Sequence, residues 1–144
     1  KNLAFDFFYR FSRFEFALKE NGKVKAGRRG VAEPDWTAFI EEHETTYQLS
    51  ERGKELFVAP GVQKTKEGNS WEWAPLAFDL GASELSRLVL AVKTVRNNLF
   101  HGGNHTAAGW DDHARVVFLL KQGIELLDEF AQLAGYQADY ERRY

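Results

Sequence analysis

The sequence contains no cysteine and no methionine, and only three prolines among its 144 residues. Without cysteine the chain can form neither a disulfide nor a thiolate-based zinc site. It also has no apolar run approaching the ~18–20 residues that a membrane-spanning helix needs. The lack of cysteine leaves the redox compartment open, whereas the lack of such a run and of a signal-peptide pattern predicts a soluble protein of the cytoplasm.

The chain also lacks an excess of positive charge. Its 19 lysines and arginines stand against 21 aspartates and glutamates, which gives a net charge of −2. A basic surface over the whole molecule is therefore excluded, and any contact with nucleic acid must be local. The densest local block of cations is expected either to be solvated by water or to contact RNA phosphates. The cations of this block are Lys23, Lys25, Arg28 and Arg29.

Aromatic residues, by contrast, are abundant. They make up 15% of the chain, with 12 phenylalanines, five tyrosines and four tryptophans. This is more than the core of a small helical domain needs, so we expect some of the rings to cover the surface of a partner.

Apolar side chains recur with the 3.6-residue period of an α-helix in several segments. The pattern predicts long helices over residues 2–20 and 84–100, the second with Ser83 as its N-cap. Shorter helices are predicted to begin near Pro34 and after Ser50.

A last long helix is predicted to open at Asp111 or Asp112 and to end near Gly135. Residues 61–70 are polar and rich in turn formers, which indicates an exposed loop. No segment alternates with a period of two for long, so no β-strand is predicted. The sequence therefore predicts one domain over residues 1–144, an all-α bundle of four to five helices.

The predicted helix over residues 84–100 ends in a cluster of hydrogen-bond donors. Arg96, Asn97 and Asn98 interrupt its apolar pattern, and His101 follows just before two glycines that end the helix. On an unbroken helix Arg96 and His101 point about 140° apart, so they converge only if the helix frays or if a second copy supplies half of the site. Alternatively, both residues simply cap the helix C-terminus, where the helix dipole is negative.

The segment from Arg96 to His101, with four residues between them, resembles the R-x4-6-H signature of the HEPN superfamily. Asn97 matches the polar residue that ribonuclease members favour after the arginine. The aromatic run over residues 8–15 is similar to the first helix of small stand-alone prokaryotic HEPN proteins. The resemblance implies a helical bundle with the motif late in the chain. It also implies a homodimer in which two motifs form one composite site that cleaves RNA without a metal.

Carried over to this sequence, the resemblance implies a role for each residue of the motif. Arg96 would bind the scissile phosphate, because its planar fork matches phosphate oxygens. His101 would transfer protons, because histidine titrates near neutral pH. Asn97 and Asn98 would orient the substrate or its partners by hydrogen bonding.

Arg13 and Glu15 lie in the first predicted helix, which packs near the motif helix in the HEPN superfamily. They are predicted either to hold the Arg96 side chain in position or to form an ordinary surface or intrahelical ion pair. No tight metal-ligand spacing occurs, so neither a metal nor another cofactor is predicted. The residues that come closest to a ligand set are His101, His105, Asp111, Asp112 and His113.

The resemblance leads to one functional hypothesis and two alternatives. The hypothesis is an endoribonuclease of HEPN type, a toxin or defence effector acting on RNA, with an antitoxin or another protein as a candidate partner. The first alternative is a non-catalytic HEPN module that binds a nucleotide, an RNA or a protein. The second is a purely structural helical dimer.

Overall fold

The structure is a computed structural model that describes residues 2–101 and 113–142. Within these residues the chain forms six α-helices and two antiparallel β-hairpins. The helices are α1 (Leu3–Glu20), α2 (Trp36–His43), α3 (Glu51–Leu56), α4 (Glu84–Phe100), α5 (His113–Ala134) and α6 (Gln137–Glu141). The strands are β1 (Val24–Ala26), β2 (Ala32–Pro34), β3 (Gly61–Lys66) and β4 (Ser70–Pro75).

Side-chain caps fix the beginnings of the predicted helices. Ser83 accepts a hydrogen bond from the N–H of Ser86 at 3.1 Å, and α4 spans the predicted residues 84–100. Ser50 caps α3 in the same way, through the N–H of Gly53 at 3.1 Å. The helix predictions for these segments are therefore confirmed. The predicted glycine stop at residues 102–103 and the predicted helix start at residues 111–112 lie outside the described residues.

The core is built around α1 and α5 and consists largely of aromatic rings. Phe7 and Phe14 of α1 are fully buried, as are Phe39 of α2 and Phe130 of α5. Gly123 allows α1 and α5 to approach closely, because a Cβ atom there would lie 2.5 Å from the ring of Phe7. Nine aromatic residues in all are buried among those that the structure describes, so much of the aromatic content is used inside the protein.

Some rings nevertheless remain at the surface. Phe5 and Tyr9 are exposed on α1 and stack with their ring centroids 6.5 Å apart. Phe100, at the end of α4, has 66% of its surface exposed. Exposed rings of this kind are available to a partner molecule.

The prediction of an all-α bundle is wrong. The fold is mixed, because two segments without apolar alternation form antiparallel hairpins. One is residues 61–70, predicted as an exposed loop, which contributes all of β3 and the first residue of β4. The other is the cationic block after α1, which contains β1 and the turn to β2.

The physical reason for the error is that these strands bury little apolar surface. In the β3–β4 hairpin Lys66 forms an ion pair with Glu72 at 3.6 Å, and the turn places Gly68 and Asn69 at positive φ. Such hairpins are held by backbone hydrogen bonds and cross-strand pairs, which leave no hydrophobic period in the sequence. The sequence signal that was available is the Gly68–Asn69 pair.

Among residues 2–101 and 113–142, no helix combines the length and apolar character that a membrane span requires.

Candidate functional site

Arg96 and His101 lie at the C-terminal end of α4. The helix is held in place by a buried stripe that includes Leu88, Val92 and Val95. His101 is the C-cap, with φ −97° and ψ 14°, and its backbone N–H donates to the carbonyl of Asn97 at 3.0 Å. The imidazole side chain takes no part in this backbone hydrogen bond and is exposed.

Arg96 and His101 both contact the ring of Phe100. The guanidinium carbon of Arg96 lies 5.1 Å from the centroid of this ring, within the range of a cation–π contact. The imidazole of His101 packs edge-on against the same ring, with centroids 5.3 Å apart. Both side chains therefore contact one exposed ring. No hydrogen bond joins the two side chains, both of which the structure describes.

The guanidinium of Arg96 is held by its surroundings. Arg96 as a whole is half-buried, and its guanidinium lies 5.9 Å from the ring of Phe11 and donates to the side-chain oxygen of Asn97 at 3.1 Å in an exposed hydrogen bond. Phe11 belongs to the core, so Arg96 is packed between a core ring and the exposed ring of Phe100. A guanidinium fixed in this way is preorganised to bind an anion at the surface.

The two asparagines of the motif face in different directions. Asn97 is exposed beside Arg96, whereas Asn98 is buried with 6% of its surface accessible. The amide nitrogen of Asn98 donates to the carbonyl of Gly61 at 2.9 Å. Asn98 therefore fastens the start of β3 to α4, and its side chain is directed away from the surface that Asn97 shares with Arg96.

Replacing each asparagine should separate these roles. Asn98→Ala is expected to lower the free energy of unfolding by about 1–3 kcal/mol, because it removes a buried side chain and leaves the partly buried carbonyl of Gly61 without its donor. Asn97→Ala is the matched control and should change stability by less than about 0.5 kcal/mol. Urea denaturation of both variants measures the difference. Equal stabilities would show that the Asn98–Gly61 hydrogen bond does not hold the hairpin.

The two α1 residues predicted to support Arg96 have partners elsewhere. Arg13 donates to the backbone carbonyl of Asp139 in α6, and its guanidinium lies 4.6 Å from the ring of Phe16. The carboxylate of Glu15 accepts a hydrogen bond from the indole nitrogen of Trp36 at 2.7 Å. Arg13 thus joins α1 to α6, and Glu15 joins α1 to α2.

The four cations of the block after α1 also differ from one another. Lys23 pairs with Glu42 of α2 at 2.5 Å, and this hydrogen bond raises the pKa of the lysine. Lys25 is exposed on β1, and Arg28 and Arg29 are exposed in a short 3-10 turn between β1 and β2. Lys23 therefore serves the fold, whereas the other three are accessible to a ligand.

The sequence interpretation missed Lys93, which lies one turn before Arg96 on α4. Its amine is half-buried and sits 5.9 Å from the ring of Trp36. Burial lowers the pKa of Lys93, the charge of Glu15 opposes this shift, and the charges of Lys25 and Arg96 lower the pKa further. The available signal was a lysine in an apolar stretch, three residues before the arginine of the motif.

Within the described residues the candidate site lies at the surface, outside the larger cavities. Four cavities of about 380–470 Å³ are among those in this part of the chain, and neither Arg96 nor His101 lines any of the four. The described residues also contain no group of three or more histidines, aspartates and glutamates that could hold a metal ion. Of the ligand set weighed from the sequence, residues 105, 111 and 112 lie outside the described residues.

Comparison with known proteins returns no match of the chain to a family model, to a curated protein or to a solved structure.

Proposed function

We propose that the protein is a metal-independent endoribonuclease of HEPN type. The observation that carries the proposal is that the Arg96 guanidinium and the exposed His101 imidazole both contact the ring of Phe100. A fixed guanidinium beside an accessible imidazole supplies the two groups that phosphodiester transesterification needs, an anion binder and a proton carrier.

The proposed reaction begins at a ribose 2′-hydroxyl. His101 takes its proton, the 2′-oxygen attacks the neighbouring phosphorus, and the bond from phosphorus to the 5′-oxygen breaks. A protonated His101 of a second copy gives a proton to that leaving oxygen. Arg96 binds the non-bridging oxygens as charge accumulates on them. The products are a cyclic 2′,3′-phosphate and a 5′-hydroxyl.

A homodimer is part of the proposal, because the motif of one copy offers a single histidine, whereas the reaction needs both a proton acceptor and a proton donor. Two facing motifs would enclose the RNA and provide one proton acceptor and one proton donor. Exposed rings such as Phe5 and Tyr9 offer apolar surface for the contact. We place the activity in the cytoplasm as that of a toxin or defence effector, which requires a partner protein such as an antitoxin to restrain it.

The exposed ring of Phe100 beside Arg96 also favours one alternative. A half-buried arginine beside an exposed aromatic ring can bind RNA by charge and stacking without cleaving it. A non-catalytic HEPN module, which binds RNA, a nucleotide or a protein, is therefore the second candidate. It differs from the first in predicting binding without product formation.

The proposal is tested by incubating the purified protein with single-stranded RNA in the presence of EDTA. Cleavage is expected to continue, since no metal takes part in the proposed chemistry, and the products should carry cyclic phosphate. A single 2′-deoxy substitution at the cut site should block the reaction, because it removes the attacking oxygen. The product ends can be identified by mass spectrometry.

Two results would contradict the proposal. Cleavage that needs Mg²⁺, or that proceeds on the 2′-deoxy substrate, would refute the mechanism. RNA binding without any cleavage would favour the non-catalytic module. Light scattering on the same sample should show a dimer. A monomer that still cleaves RNA would show that one copy is sufficient and would contradict the composite site.

A further inference from the structure

Lys93 and Arg96 lie on one continuous aromatic surface. They are three residues apart on α4, so their side chains are neighbours on the helix. The amine of Lys93 is 5.9 Å from the ring of Trp36, and the guanidinium of Arg96 is 5.9 Å from the ring of Phe11. The two rings contact each other, with centroids 5.7 Å apart.

The β1–β2 hairpin brings a third cation to this surface. Lys25 is exposed on β1 opposite Glu33 of β2, and Trp36, the ring beneath the amine of Lys93, follows Glu33 by three residues. The hairpin therefore lies beside this surface, and the charge of Lys25 acts on the amine of Lys93 together with the charge of Arg96. Within the described residues none of these three cations forms an ion pair. Like charges held together with one amine half-buried are destabilising unless an anion joins them.

Two carboxylates lie near these cations. Glu15 attracts the charge of Lys93, but its carboxylate also accepts the hydrogen bond from the indole nitrogen of Trp36. Glu33 is the cross-strand partner of Lys25, and its carboxylate extends over Gly27. In the part of the chain that the structure describes, these three cations therefore outnumber the two carboxylates, on a molecule whose net charge is −2.

We propose that Lys93 and Lys25 bind a second phosphate of the RNA, next to the phosphate held by Arg96. The inference rests on the proposed function and deepens it, because it gives the path of the strand. The RNA would run from His101, across Arg96, along α4 toward the β1–β2 hairpin. An anion between Lys93 and Lys25 would relieve their mutual repulsion, and a ribonucleotide strand carries such an anion at every residue.

The inference is tested by measuring the affinity for RNA apart from its cleavage. The probe is a fluorescein-labelled 2′-O-methyl oligouridine of about ten nucleotides, which lacks the attacking hydroxyl. Binding is measured by fluorescence anisotropy at several salt concentrations. Lys93→Gln and Lys25→Gln are each expected to raise Kd by about 3–10-fold and to reduce the slope of log K against log salt by about 0.7.

The matched control is Lys64→Gln, which removes an exposed lysine on β3 and should leave Kd within about twofold of the unchanged protein. Lys93→Arg keeps the positive charge and should restore most of the affinity. The double variant Lys25→Gln with Lys93→Gln should lose little more than either single variant, because both side chains hold the same phosphate.

The outcomes separate this inference from the proposed function. If the unchanged protein cleaves RNA but both glutamine variants bind with the original Kd and salt slope, the second phosphate site is refuted and the ribonuclease proposal stands. If the protein does not cleave RNA but both variants weaken binding, the phosphate site stands and the ribonuclease proposal fails. Lys25 lies on an exposed strand, so Lys25→Gln is expected to fold normally. This variant still tests the second phosphate site if Lys93→Gln reduces the amount of folded protein.

Discussion

His101→Ala is expected to lower the rate of RNA cleavage by about 10²–10⁴-fold, the usual effect of losing a general acid or base. In the proposed mechanism the imidazole both accepts the proton of the 2′-hydroxyl and, in the second copy, protonates the leaving oxygen. Alanine can do neither. The effect is measured as the single-turnover rate at saturating RNA, so that any change in affinity is kept apart from the chemical step.

The structure predicts that this loss comes without unfolding. At the end of α4 the backbone N–H of His101 donates a hydrogen bond to the carbonyl of Asn97. Alanine at position 101 keeps this hydrogen bond, because the backbone is unchanged. The imidazole is exposed, so the free energy of unfolding should change by less than about 0.5 kcal/mol.

His113→Ala is the matched control for this variant. It removes another exposed histidine, at the first residue of α5, and should leave cleavage unchanged. A fall in thermal stability that parallels the fall in activity of His101→Ala would instead support the interpretation of His101 as a capping residue.

The helical part of the fold could be predicted because its signals are local. Ser83 marks the start of α4, and the apolar stripe that includes Leu88 and Val95 follows the helical period to its end. The hairpins could not be predicted in this way, because β1 is exposed along its whole length and β3 is exposed over its second half. Each strand is stabilised by pairing with another segment. The pattern within one strand's own residues carries no sign of that pairing.

The candidate site shows the same division at the level of single residues. The motif identified Arg96 and His101 as candidate site residues. Their shared contact with the ring of Phe100 depends on side-chain orientation, which the sequence does not give. The burial of Asn98 was accessible from the sequence, since it follows Val95 by three residues on the buried stripe. The hydrogen bond from Asn98 to Gly61 could not be predicted, because it joins α4 to β3, two elements that are distant in the sequence.

Lys93 was missed for a related reason. A lysine inside an apolar helix is usually interpreted as a solvated side chain that extends its amine to water. Only the position of Trp36, which is supplied by α2, shows that this amine lies over an aromatic ring. The contribution of Lys25 likewise depends on the hairpin that the sequence did not predict.

Arg96→Lys is expected to reduce kcat/KM by about 10–100-fold, although it preserves the charge. Loss of one charge-assisted hydrogen bond in the transition state costs about 1.5–3 kcal/mol, which corresponds to a rate change of this size. A lysine amine is a point charge that cannot reproduce the two parallel contacts of a guanidinium with phosphate oxygens. The lysine side chain also lacks the planar group that packs between Phe11 and Phe100 and that fixes the orientation of the guanidinium.

The salt dependence of binding distinguishes this effect from a simple loss of charge. Because lysine still neutralises a phosphate, the slope of log K against log salt should stay as it is, while the cleavage rate falls. Arg87→Lys is the matched control on the same helix, since the Arg87 guanidinium also lies over a ring, 5.6 Å from that of Phe78. That variant should cleave RNA at the original rate. Full activity of Arg96→Lys would mean that Arg96 acts only through its charge, and the forked contact would then have to be removed from the mechanism.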